Sequence, residues 1–200
     1  AAALQAQTLI DTFSFDSADD FAQWTTANGT WKWVEDGKAE VFDPFFWNDR
    51  SAIRSKSGGG AVALASNEGL FDRLVSPEIE LGEQDSVYLR FNEYFRKYSA
   101  ITQVTAANLL TGDELVFNLH TNVPEQVETS YRAEQVLDIS AIAASDTAVL
   151  QIAFLYEGSG YFWIIDDVEL HKRCDDTGEE HHPTDDGETD RSFGGEVIVH

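Results

Sequence analysis

The sequence predicts an all-β protein: a two-sheet antiparallel β-sandwich of the jelly-roll type, with an acidic linker and a short C-terminal β segment after it. Segments in which apolar and polar residues alternate recur along the chain, and turn residues separate them. Only Ser17 to Trp24 has the pattern of a short helix. With 200 residues, of which 42% are hydrophobic, the chain can bury one sizeable core.

The alternating segments predict the strands, and the turns between them predict which strands are neighbours. Glu35 to Lys38 contains Asp-Gly, which favours a tight hairpin, and Glu157 to Gly160 joins the last two long segments in a similar way. We therefore expect both flanking pairs to be antiparallel neighbours, and the first and last strands to lie side by side. The predicted strands are Leu9 to Phe15, Thr30 to Val34, Ala39 to Phe42, Ala61 to Ala65, Ser86 to Phe95, Ala100 to Ala107, Leu115 to Leu119, Tyr131 to Ile139, Ala148 to Tyr156 and Tyr161 to His171.

Composition divides the chain into a sandwich over residues 8–172, a flexible linker over 173–191 and a terminal strand over 192–200. Asp175 to Arg191 is mostly acidic and polar and has no large apolar residue, so it cannot bury enough surface to become ordered. Val197, Ile198 and Val199 have high β propensity instead. We expect this last segment to pair with a sheet edge of its own domain or of a neighbouring subunit.

The charge of the chain restricts its partners. Lys and Arg number 13 against 36 Asp and Glu, a formal net charge of −23, which disfavours nucleic acid and anionic membranes and favours cations. Cys174 is the single cysteine, so no disulfide forms within the chain. Ala1 to Gln7 resembles the end of a bacterial secretory signal, from which we expect an exported protein, extracellular or on the cell surface.

Asp166 is the candidate metal ligand. On a regular strand it shares one face with Ile164 and Val168, and because that face is the apolar one its carboxylate would point toward the core. A buried carboxylate needs a cation or several hydrogen-bond donors. We predict a structural Ca²⁺ bound by Asp166 with Asp16, Asp19 and Asp20; the alternative is that Asp166 accepts backbone N–H bonds or pairs with an arginine.

An aromatic segment between strands is the candidate ligand-binding surface. It consists of Phe45, Phe46, Trp47, Asn48, Asp49 and Arg50. Aromatic rings can stack on sugar faces while the polar residues bind sugar hydroxyls, so the segment predicts glycan binding. The alternative is that the three rings fold back and cap the end of the sandwich.

Several segments resemble the MAM-type and related concanavalin-A-like jelly-roll domains of bacterial surface and secreted proteins, over about residues 8 to 171. They include the Leu-x-Ser-Pro-x-Ile segment at Leu74 to Ile79 and the Ile-Asp-Asp-Val segment at Ile165 to Val168. The resemblance implies a jelly roll used for adhesion, glycan binding or accessory roles, and in some relatives a structural Ca²⁺ held by an Asp of the last strand, here Asp166. The paired cysteines of the eukaryotic MAM pattern are missing, so the receptor-adhesion functions of that branch do not carry over.

Two functions remain open from the sequence. The acidic residues form no recognisable catalytic motif, so we predict no catalytic residue and no enzyme. The first hypothesis is a calcium-stabilised extracellular module for adhesion or glycan binding, whose partner is a glycan or a surface protein. The second is a structural subunit that assembles with copies of itself into an extracellular filament by strand addition.

Overall fold

The computed structural model describes residues 7–35, 60–65, 69–130, 133–143 and 147–173, and these residues form twelve strands and two short helices. The helices are α1 (Ala18–Ala22) and α2 (Ser140–Ala143). The strands are β1 (Gln7–Phe13), β2 (Thr25–Thr26), β3 (Lys32–Glu35), β4 (Gly60–Ala65), β5 (Leu70–Val75), β6 (Ile79–Leu81), β7 (Tyr88–Arg96), β8 (Ser99–Asn108), β9 (Glu114–Leu119), β10 (Ala133–Asp138), β11 (Ala148–Ser159) and β12 (Phe162–Arg173). The predicted all-β class is confirmed.

The strands form two antiparallel sheets, as the sequence predicts. Sheet A has the order β10-β7-β12-β4-β3, and β1 also pairs with β12. Sheet B has the order β2-β5-β11-β8-β9, and β6 also pairs with β11. In sheet A the long strand β12 has β7 on one side, and β1 and β4 share its other side. In sheet B the long strand β11 has β8 on one side, and β5 and β6 share its other side. The pairing of β1 with β12 confirms that the first and last strands of the sandwich lie side by side.

The core lies between the sheets and is rich in aromatic rings. Phe154 of sheet B packs edge to face on Phe91 and Trp163 of sheet A, with ring centroids 5.1 and 5.8 Å apart. All three side chains are fully buried. Such edge contacts place the positive edge of one ring on the negative face of the next and fix how the sheets are stacked.

The turn after β11 is a crossing between sheets and does not form a hairpin. β11 belongs to sheet B and β12 to sheet A, so the expected pairing of the last two strands is wrong. Gly158 and Gly160 have φ of 139° and 84°, and a Cβ on Gly158 would lie 2.0 Å from the carbonyl oxygen of Ser99. The glycines are needed because the chain passes close to its neighbour as it changes sheet.

The expected orientation of Asp166 is also wrong. Trp163 and Ile165 belong to the core, whereas Asp166 follows them on the opposite face of sheet A. Asp167 has φ of 47°, and the register with β7 shifts between Asp166 and Glu169. This bulge returns the later side chains of β12 to the core face, so the strict alternation assumed from the sequence fails at this point.

Some predicted segments lie outside the described residues. They are most of the Glu35 to Lys38 hairpin, the strand Ala39 to Phe42, and the linker and terminal strand after residue 173.

Asp72 on β5 holds a neighbouring loop from inside the sandwich. Its side chain is fully buried and accepts backbone N–H bonds from Asn28 at 2.7 Å, Thr30 at 2.8 Å and Trp31 at 3.2 Å. The Thr30 hydroxyl donates to it as well. Burial alone would raise the pKa of Asp72, but these hydrogen bonds stabilise the ionised form, and the net effect is a pKa below its ordinary value.

We predict that Asp72→Ala destabilises the protein by about 3 kcal/mol or more, because the buried N–H of Trp31 and the partly buried N–H groups of Asn28 and Thr30 lose their acceptor. The lowered pKa also predicts a pH dependence. The stabilisation by Asp72 is fully present above the unfolded-state pKa of about 3.9 and is lost as pH falls through that value and through the folded-state pKa. Urea unfolding at pH 7 and pH 3 measures both effects. An equal loss of unfolding free energy in Asp72→Ala at both pH values would contradict the stabilising role of the ionised Asp72 carboxylate.

Candidate functional site

The aspartates predicted to bind calcium do not form a metal site within the described part of the chain. Asp20 lies in α1, where it exchanges hydrogen bonds with Ser17 in a capping box, and Asp166 accepts a hydrogen bond from the backbone N–H of Asp167 at 2.9 Å. Asp16 and Asp19 are exposed. Among the described residues there is no group of three or more His, Cys, Asp or Glu side chains able to share a metal ion. Calcium binding stays a prediction.

The second predicted site, Phe45 to Arg50, lies outside the described residues, so its role in binding a glycan or capping the sandwich stays a prediction.

The outer face of sheet B carries the most distinctive exposed surface among the described residues, which we call the platform. The strand register aligns its side chains in two rows across the sheet. The first row is Phe71, Glu157 and Ile101, and the second is Arg73, Leu155, Gln103 and Asn118. Phe71 and Ile101 are 51% and 54% exposed, so apolar side chains stand in solvent on either side of Glu157.

The second row of the platform offers hydrogen-bonding groups. Gln103 Nε2 donates to Asn118 Oδ1 at 2.7 Å, which orients both amides. No hydrogen bond from the described residues engages Gln103 Oε1 or Asn118 Nδ2. The Nε atom of Arg73 is buried, and it too has no hydrogen-bond partner there. An unsatisfied buried donor is costly, so the guanidinium of Arg73 is not held by the protein through this atom.

An open depression of about 340 Å³ continues the platform at one end. Ile101 and Asn118 line it together with Lys97, Thr121 and other residues at the ends of β8 and β9. The first row of the platform therefore borders a hollow as well as a flat sheet face.

A buried polar cluster lies beside this depression, between the sheets. Glu93 on β7 accepts hydrogen bonds from Trp163 Nε1 at 2.8 Å and Gln135 Nε2 at 2.6 Å. His120, just after β9, places Nε2 at 2.9 Å from Glu93 and Nδ1 at 2.6 Å from the Thr102 hydroxyl. The cluster joins sheet A to sheet B.

The order hydroxyl, imidazole and carboxylate in Thr102, His120 and Glu93 is also that of nucleophilic hydrolases. The Thr102 residue is only 1% exposed, and its hydroxyl lies 3.3 Å from the carbonyl oxygen of Leu119, to which it can donate. Thr102 and His120 belong to the wall of the depression, but the Thr102 hydroxyl is buried and lies within hydrogen-bond distance of both His120 Nδ1 and the Leu119 carbonyl oxygen. This cluster therefore supports the structure and is a poor candidate for catalysis.

Sequence reasoning missed both the platform and the cluster. The one signal in the sequence was Ile101, an apolar residue on the same side of the predicted strand Ala100 to Ala107 as Gln103 and Thr105; β5, which carries Phe71, was not among the predicted strands. That signal does not reveal that the two residues lie in one row, because their strands are separated by β11.

No family model matches the chain, and no curated protein is similar to it in sequence. Solved structures do match it. The carbohydrate-binding module TmCBM61, solved with β-1,4-galactotriose, is 16% identical with a TM-score of 0.51, and the match covers 80% of this chain and 95% of that one. The cleaved adhesin domain of Lys-gingipain from Porphyromonas gingivalis is 16% identical with a TM-score of 0.51, covering 82% and 97%.

A third match is the CBM22-1–GH10 part of xylanase 10B from Clostridium thermocellum, solved with xylohexaose. It is 13% identical with a TM-score of 0.50, and the match covers 84% of this chain and 29% of that one. The chain has the β-sandwich fold of these modules. At such identities the likeness establishes the fold alone, and it does not confirm the MAM-type resemblance. No helix in the described residues is long and apolar enough to cross a membrane.

We predict that Glu93→Ala destabilises the protein by about 3 to 5 kcal/mol, because it leaves buried donors of both sheets without their acceptor. Glu134→Ala is the control. Glu134 belongs to the same sheet but forms a partly exposed ion pair with Arg90, so its loss costs about 1 kcal/mol or less. Equilibrium unfolding in urea measures both. Similar losses in the two variants would show that the buried cluster does not join the sheets.

Proposed function

We propose that this chain is a non-catalytic glycan-binding module and that the platform on sheet B is its binding surface. The observation that carries the proposal is the platform itself. Exposed apolar side chains, Phe71 and Ile101, stand next to a row of hydrogen-bonding groups, Arg73, Gln103 and Asn118, on a sheet face whose inner side is packed in the core.

This combination suits a sugar chain. One face of a pyranose ring is made of C–H groups and packs on apolar side chains, while its hydroxyls donate and accept hydrogen bonds. The amide groups of Gln103 and Asn118 are held in place by their mutual hydrogen bond, so little conformational entropy is lost when they bind. A rigid strand scaffold also positions side chains more accurately than a loop does.

The structural matches support the same assignment. TmCBM61 is a carbohydrate-binding module solved with β-1,4-galactotriose, and the CBM22-1–GH10 protein was solved with xylohexaose; both ligands are neutral sugar chains. The match to the adhesin domain of Lys-gingipain agrees with adhesion as the wider role. The adhesin match also favours a protein that acts outside the cell. Assembly into a filament stays a prediction, because its terminal strand is not among the described residues.

We predict that Phe71→Ala lowers glycan affinity at least about tenfold, or roughly 1.4 kcal/mol, because the exposed ring is the largest apolar contact on the platform. Stability should change by about 1 kcal/mol or less, since half of the ring is already in solvent. Val136→Ala is the control, because Val136 is also 51% exposed but lies on β10 at the edge of sheet A. The glycan affinity of Val136→Ala should equal that of the parent protein.

Isothermal titration calorimetry with linear β-1,4 oligosaccharides, the hexamers of mannose, xylose and galactose, provides the measurement. Unchanged affinity in a folded Phe71→Ala protein would place the binding site elsewhere. If the parent protein binds neither these sugars nor any glycan of a wider panel, the assignment as a glycan-binding module is wrong.

A further inference from the structure

The centre of the platform carries one acid and one cation on neighbouring strands. Glu157 lies between Phe71 and Ile101 in the first row, and Arg73 lies in the second row beside Leu155. Arg73 pairs with Leu155, two residues before Glu157, so the two charged residues are diagonal neighbours on one face, with Cα atoms about 7 to 8 Å apart. Ion pairs within the described residues join Arg90 to Glu134, His120 to Glu93 and His171 to Glu169, and none of them includes Arg73.

This arrangement distinguishes neutral from acidic sugars. A sugar hydroxyl both donates and accepts, so one ring resting on Phe71 and Ile101 can donate to the Glu157 carboxylate and accept from the Arg73 guanidinium. A uronate or sulfate on the same ring would bring a second negative charge next to Glu157. Like charges placed together in an interface disfavour binding and thereby create specificity.

The positive charge of Arg73 does not reverse this preference for neutral over acidic sugars. Arg73 lies in the second row beside Leu155, and Leu155 is nearly buried. The Nε atom of Arg73 is buried as well. Glu157 is exposed at the centre of the first row, where an incoming ring makes its apolar contacts. The net charge of −23 also repels a polyanionic chain before contact.

We propose that Glu157 and Arg73 are the specificity-determining pair of the platform, and that they select uncharged glycans over glycans that carry uronate or sulfate groups. This inference rests on the proposed function. Glu157 supplies the acceptor that excludes anions, and Arg73 supplies the matching donor.

The test uses sugar chains that differ only in charge. β-1,4-Mannohexaose and the β-1,4-mannuronate hexamer share linkage and length, and cellohexaose with the β-1,4-glucuronate hexamer forms a second such pair. The parent should bind the neutral member of a pair at least about tenfold more tightly. Glu157→Gln should reduce this ratio about tenfold by raising the affinity for the acidic member. Arg73→Gln should weaken binding of the neutral member.

Glu114→Gln is the matched control. It makes the same change of charge at an exposed position on β9, three rows away from Glu157 on the same face, so it reports the long-range part of the repulsion. Its ratio should stay within about twofold of the parent ratio at 0.15 M salt, where screening acts over about 8 Å.

The outcomes separate the two proposals. If the parent binds neutral sugars but Glu157→Gln leaves the ratio unchanged, the specificity pair is wrong and the glycan-binding assignment stands. If the parent prefers the uronate chain and Arg73→Gln removes that preference, Arg73 is an anion receptor and the inference is overturned. Binding of neither kind of chain contradicts both proposals.

Discussion

A row of buried polar side chains joins sheet B by hydrogen bonds to the neighbouring loops and to sheet A. Asp72, Tyr156 and Thr102 lie side by side on β5, β11 and β8, all pointing into the core. A polar group in that position must be fully hydrogen-bonded, since desolvation without a partner costs more than one bond contributes. Asp72 holds the loop of Asn28 to Trp31, Tyr156 donates to the carbonyl oxygen of Gly160 at 2.6 Å, and Thr102 reaches Glu93 through His120. Burial raises the pKa of Tyr156, so its hydroxyl remains a donor.

The same row explains why the platform lies where it does. In a strand, neighbouring side chains point to opposite faces, so each buried polar residue stands between two platform residues. Asp72 separates Phe71 from Arg73, Tyr156 separates Leu155 from Glu157, and Thr102 separates Ile101 from Gln103. The bonds made inside therefore fix the backbone that presents the side chains outside. A surface prepared in this way loses little freedom when a ligand binds, which is how preorganisation raises affinity.

The fold could be predicted from the sequence because its signals are local. Alternating residues located most strands, the pattern of Ser17 to Trp24 predicted the short helix α1, and β1 pairs with β12 as expected. The errors fell where local alternation stops. The bulge at Asp167 lets Val168 and Leu170 face the core although Asp166 faces the other way, and the glycines after β11 carry the chain into the other sheet. The candidate site was missed for a related reason: Phe71, Glu157 and Ile101 come from distant parts of the chain, and only the register of the strands brings them into one row.

The central claim is that a glycan binds the outer face of sheet B above the buried row. Backbone amide chemical shifts, followed by NMR while β-1,4-mannohexaose or another neutral oligosaccharide that binds is added, test it directly. The account predicts shifts concentrated at residues 71–73, 101–103 and 155–157, with the strands β7 and β10 of sheet A unaffected. Shifts concentrated on sheet A or at Phe45 to Arg50, with sheet B unchanged, would contradict it.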